Sequence, residues 1–181
     1  WVEVMKLFKY EGYKITISEE ALMLKPFKAL WDRDKTKTKE KALMELGYIY
    51  FLCDPRSDYQ YIVDLESRSD EIKKGEGIDT KWKPDSKVLE AIEFYNSFKS
   101  AAALLLEDIK LMVDGYRNKI KSLTKDMDTM EVKDIKDIGV IIKQIPSLIK
   151  DLDEAEKSIT KELAASDKVR GKSEKSIYED L

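Results

Sequence analysis

The chain has 181 residues, 43% hydrophobic and 38% charged, with 33 Lys and Arg against 36 Asp and Glu for a formal net charge of -3. That length buries a real core, and a charged fraction well above the usual quarter, with only 7 Gly and 4 Pro, favours long solvated helices. The near-neutral balance does not show the clustered basic excess of a nucleic-acid binder. A single cysteine, Cys53, and no histidine exclude an internal disulfide, a cysteine-rich zinc site and the Ser-His and Cys-His nucleophile systems.

The first stretch, 1–18, alternates in places. Tyr13, Ile15 and Ile17 fall on one side of a strand, with Lys14, Thr16 and Ser18 on the other. Its partner is expected in Val2 to Phe8 through a turn at Glu11-Gly12, and an extended arm is the alternative. Ser18 followed by Glu19 and Glu20 reads as an N-cap with an acidic first turn, opening a short helix that Pro26 interrupts or restarts.

From Thr38 the residues Ala42, Leu43, Leu46, Ile49, Tyr50 and Cys53 recur as one face of a helix, expected to meet core or interface. Lys35, Lys37, Lys39 and Lys41 crowd its entrance, where the macrodipole disfavours positive charge unless an anion lies nearby. Asp54-Pro55 ends it. A charged helix then runs through Ile72 to Gly75 or Gly77, and a loop to Pro84 carries Trp82.

Asp85 or Ser86 opens the longest periodic segment, whose stripe from Val88 through Tyr95, Ala102, Ile109 and Tyr116 to Ile120 predicts one helix on the order of 50 Å long. Glu131 to Ile145 and Leu148 to Leu163 repeat the pattern as its antiparallel partners, with Pro146 as a kink or junction. Residues 166–181 are too poor in apolar side chains to pack alone and are expected as an extended polar tail. The expected architecture is mainly α: an antiparallel helical bundle with one long central helix, a short N-terminal β-hairpin or arm, and that C-terminal tail. It forms one helical domain over 1–165.

Sites for chemistry are sparse. Asp32-Arg33-Asp34 offers two carboxylates, but side chains at i and i+2 point apart on a helix, and no further acidic motif has ligand spacing. The glycines are scattered and do not form a phosphate-cradling loop. Asp54, Arg56, Asp58 and Tyr59 form a dense polar corner, read either as a recognition loop or as an Arg-Asp clamp that orders a turn. Cys53, on the apolar face with Leu46 and Ile49, reads as a buried thiol. No catalytic residue, cofactor or metal is assigned, and an enzyme is not expected. No apolar run approaches bilayer length, and the start of the chain lacks the order of a signal peptide, so a soluble protein of a reducing compartment is expected.

Trp31-Asp32-Arg33-Asp34, the Lys-rich link, the Glu45 to Tyr50 helix, the Asp54 to Tyr59 corner and the stretch from Arg170-Gly171 to Tyr178-Glu179-Asp180 together resemble neck or collar proteins of tailed bacteriophages, especially crAss-like phages. The resemblance covers about a third of the chain. It implies a virion structural adaptor that forms a closed, dodecameric ring joining head to tail. Its partners would be other copies of itself, the portal protein and neighbouring collar or tail proteins, with DNA only as passing cargo and no membrane. The interface residues it implies are Trp31, Asp32, Arg33, Asp34, Asp54, Arg56, Asp58, Tyr59, Arg170 and Tyr178, with the tail docking on a neighbour. A capsid-associated or internal cargo protein of the virion, and a cytoplasmic helical regulator, are the alternatives.

Overall fold

The computed structural model describes residues 7–11, 14–125 and 131–173. The fold is mainly helical with a short antiparallel hairpin near the N-terminus. Internal packing divides the chain into two units, Trp1–Lys99 and Ser100–Leu181, where one helical domain over 1–165 was expected.

In the first unit β1 (Phe8–Glu11) pairs with β2 (Lys14–Ile17) in the register Phe8↔Ile17 to Glu11↔Lys14. The hairpin is therefore tighter than the expected pairing with Val2 to Phe8, whose residues before Leu7 lie outside the described ones. Alternation puts Phe8, Tyr10, Ile15 and Ile17 against the core. The Ser18 hydroxyl accepts from the Ala21 N–H at 3.2 Å and caps α1 (Glu19–Met23). Leu24, in an extended conformation, then separates α1 from α2 (Lys25–Arg33). Pro26 sits in the first turn of α2, where its missing N–H costs nothing.

The centre of this unit is α3 (Glu40–Cys53). One apolar face was expected, but burial reaches almost all round the helix, from Ala42, Glu45 and Leu46 through Tyr48, Ile49, Tyr50 and Phe51 to Cys53. Gly47 is what lets the hairpin sit so close: a Cβ there would stand 3.1 Å from Ile15 Cδ1. Around α3 pack α2, α4 (Leu65–Gly75) and α5 (Ser86–Asn96). Aromatic edges fill the gaps, with Phe8 and Phe27 ring centroids 5.7 Å apart and Trp82 seated on Tyr48 at 4.9 Å.

The long helix expected from Ser86 to Ile120 is two helices. α5 stops at Asn96, Ser97 turns its N–H back to the Glu93 and Phe94 carbonyls at 3.0 and 3.2 Å, and Phe98 folds edge-on against Phe94. The Ser100 hydroxyl accepts from the Ala103 N–H at 3.2 Å and starts α6 (Ala101–Thr124) afresh. Serine side chains that satisfy backbone groups locally make such a break cheap, and apolar spacing alone carries no trace of it.

In the second unit α6 packs antiparallel on α7 (Val132–Ser173). Ala103, Leu106 and Ile109 bury against Ala155 and Ile159, and the Tyr116 hydroxyl donates to Gln144 Oε1 at 3.0 Å further along. Pro146 lies inside α7 without ending it. Both Pro146 and Ile142, whose carbonyl loses its helical donor, are exposed, so water can take up that carbonyl. α7 has 42 residues against 24 for α6, and it continues helically through Ser173 where an extended tail was expected from residue 166.

Candidate functional site

The lysine-rich entrance of α3 has its anion in Asp34. Lys39 occupies the N-cap position with a left-handed backbone, φ 55°, and gives no side-chain cap. Asp34 caps from outside the helix: Oδ2 accepts the Ala42 N–H at 3.0 Å, and Oδ1 accepts the Thr36 hydroxyl and N–H at 2.7 and 2.9 Å. Those donors, the Thr36 hydroxyl foremost and then the two backbone N–H groups, hold the Asp34 carboxyl down at about 2. Lys39 Nζ donates to the Trp31 carbonyl at 3.1 Å and to the Asp34 carbonyl, and lies 5.5 Å above the Trp31 ring. These contacts hold a strained turn in place.

Arg33 is a strut between three helices. Its Nη2 lies 2.6 Å from Glu45 Oε1, its Nε donates to Glu45 Oε2 at 3.2 Å, and its Nη1 meets Asp85 Oδ2 at 2.7 Å. Asp85 in turn caps α5, accepting from the Lys87 and Val88 N–H groups at 3.1 Å each. Desolvation pulls the guanidinium pKa down, and the Glu45 and Asp85 contacts overcome it, leaving a net rise.

The corner after α3 closes on itself. Asp54 is fully buried at the negative end of α3, where a carboxylate is unwelcome unless donors surround it. Arg56 donates through Nε at 2.9 Å, Nη2 at 2.6 Å and its backbone N–H at 2.8 Å, and Tyr95 donates its hydroxyl at 2.7 Å. The Asp54 bond raises the Arg56 pKa against the pull of burial. Desolvation first, and then the Asp54 charge, push the Tyr95 hydroxyl up. The same two causes bring Tyr50 to about 12. Tyr59, raised by desolvation and by its 2.9 Å bond to Glu76, lies over the last turn of α4.

The residues predicted to meet partners thus divide. Arg33, Asp34, Asp54 and Arg56 spend their polar atoms inside the first unit, Trp31 and Tyr59 are half-buried in its packing, and Asp32 and Asp58 are exposed. Arg170 lies in α7 with its side chain outside the described residues, and Tyr178 lies outside them altogether. Glu45, Asp85, Tyr95 and Arg68, which donates to the Ile62 and Leu52 carbonyls at 2.7 and 3.0 Å, complete these struts and were missed. Glu45 had a sequence signal, as a lone acid inside an apolar run; Tyr95 had none.

Exposed apolar surface lies in the second unit. Leu104 and Leu111 are 48% and 55% exposed on α6, and Ile135, Ile142 and Ile149 are 58%, 54% and 51% exposed on α7. Those isoleucines recur at heptad spacing and share one face, beside the row that packs on α6. Between the two helices lies a groove of about 240 Å³, lined by Val113, Ile120, Ile145, Leu148 and Ile149 together with Tyr116, Arg117 and Lys121. Among the described residues neither Arg117 nor Lys121 has an ion-pair partner. The volume falls below the roughly 300 Å³ at which small-molecule sites begin, and suits the side chains of a docked segment.

Among the described residues no group of three His, Cys, Asp or Glu could hold a metal ion, and no helix is long and apolar enough to cross a membrane. No protein-family model, curated protein or solved structure matches the chain.

Proposed function

We propose that the chain works by protein-protein assembly, as a helical structural adaptor, in the setting its sequence resembles: a ring in the neck of a tailed phage that joins the portal to the tail. The observation that carries the reading is the apolar surface of the α6–α7 pair. Half-exposed Leu104, Leu111, Ile135, Ile142 and Ile149 lie on two long helices, which is more apolar surface than a free helical hairpin needs. The first unit supplies the complementary part, a small module whose loops are fixed by internal ion pairs rather than left to be ordered by a partner. Rings are built from heterologous contacts, which join two different faces of one subunit, and a module with fixed loops and an exposed helical pair, each a separate unit of the chain, offer two such faces.

The test is sedimentation velocity on the purified chain, alone and mixed with the portal protein. Leu104→Glu and Leu111→Glu sit on exposed positions, so the variant keeps its helical circular dichroism while losing self-association or portal binding. Unchanged association in that variant overturns the reading.

A further inference from the structure

We infer that the α6–α7 groove receives the acidic, apolar segment Ile177-Tyr178-Glu179-Asp180-Leu181 of a second copy of this chain. The inference rests on the assembly reading above and names the contact that makes it directional. Two observations select this occupant. The first is chemical: the lining is apolar, and Arg117 and Lys121, which share one helix and have no ion-pair partner among the described residues, contribute to it, so the fitting ligand carries apolar anchors next to carboxylates. Residues 177–181 have that composition, with Ile177, Tyr178 and Leu181 around Glu179 and Asp180.

The second observation is reach. α7 is continuous from the groove to Ser173, so its end lies roughly 36 Å beyond Ile149 at about 1.5 Å per residue. Tyr178 follows Ser173 by too few residues to return: fully extended, that stretch covers roughly 18 Å. A subunit therefore cannot fill its own groove, and the segment must come from another copy. Donor segment and acceptor groove are different surfaces of the subunit; passed on head to tail, the contact runs from copy to copy and closes into the ring of the assembly reading.

The experiment uses the full chain and charge exchange. A fluorescent peptide of residues 172–181 is titrated onto the full chain and onto the Arg117→Glu/Lys121→Glu variant by anisotropy. We expect saturable binding to the first, weakened about tenfold or more in the second. A peptide carrying Glu179→Lys and Asp180→Lys should regain binding to the reversed groove and lose it to the native one. Absence of peptide binding, or binding indifferent to both reversals, overturns the inference. If the chain still self-associates in that case, the assembly reading stands and only this contact fails; if Leu104→Glu/Leu111→Glu leaves association intact while the charge exchange behaves as expected, this contact stands and assembly does not run through the Leu104 and Leu111 face.

Discussion

Replacing Asp54 by Ala tests the internal account of the first unit most severely. Asp54 is buried at the C-terminal end of α3 and collects three bonds from Arg56 and one from Tyr95. Removing one partner of a buried ion pair costs about 3–5 kcal/mol. The Arg56 side chain keeps 27% of its surface, so water takes over part of its guanidinium and the lower end of that range applies. The Tyr95 hydroxyl also loses its acceptor, and the two losses overlap because both donors shared one carboxylate. The sum is about 3–4 kcal/mol, a large part of a domain's stability. At about 4–8 °C per kcal/mol for a unit of this size, Tm falls by roughly 12 to 30 °C.

Tryptophan fluorescence during urea and thermal unfolding is the assay. Residues 100–181 contain no tryptophan, so Trp31 and Trp82 report the first unit. Tyr95→Phe, which keeps the ring packing, should cost only about 1 kcal/mol. A shift below about 1 kcal/mol for Asp54→Ala would refute the argument, because it would mean that the carboxylate gains from its donors no more than it loses by burial.

Further predictions concern pH and helix stability. The Asp34 carboxyl, held at about 2 against about 3.9 in an unfolded chain, contributes stability that is complete above about pH 5 and is lost as pH falls through about 2. Asp34→Asn should therefore be less stable than the native chain at pH 7, with the gap in urea midpoint closing over that acid window; a gap that stays constant contradicts the cap. Tyr50 is raised to about 12, with Tyr59 and Tyr95 raised as well, so these hydroxyls should resist ionisation between about pH 10 and 12 and unfolding should become easier across the same window. Ultraviolet titration of the phenolates measures it, and a single unshifted tyrosine step contradicts it. Gly115, mid-helix in α6, has open space where a Cβ would stand, so Gly115→Ala should stabilise the α6–α7 pair by about 0.5–1 kcal/mol, read from helical circular dichroism.

Much of the fold was legible because it rests on local chemistry. Ser18 with two acids after it, Pro26 in a first turn and Asp54-Pro55 at a helix end each fix a boundary through their own backbone, and all three boundaries hold. The break between α5 and α6 was illegible because apolar residues continue in helical phase through Ser97 to Ser100, while the capping serines that end one helix and start the next look neutral in a periodicity count. Pro146 misleads in the opposite direction: it signals a junction, yet on an exposed turn of a long helix it is tolerated. For the site, the polar corner and its Arg56-Asp54 clamp showed themselves as a cluster, but some of the partners come from distant positions. Tyr95 reaches Asp54 from α5, and Asp85 reaches Arg33 from the cap of that same helix, pairings that no spacing rule contains. The apolar pattern of α7 was visible in the sequence; that Ile135, Ile142 and Ile149 stay exposed depends on which side of α7 meets α6.

The proposed role as a ring-forming neck adaptor is tested most directly by quantitative mass spectrometry of purified phage particles, scaled to the portal protein. The account predicts a copy number equal to that of the portal or a simple multiple of it, as closed symmetry requires. Copy numbers far above the portal, as for a capsid or cargo protein, or absence from particles, as for a regulator, would contradict it.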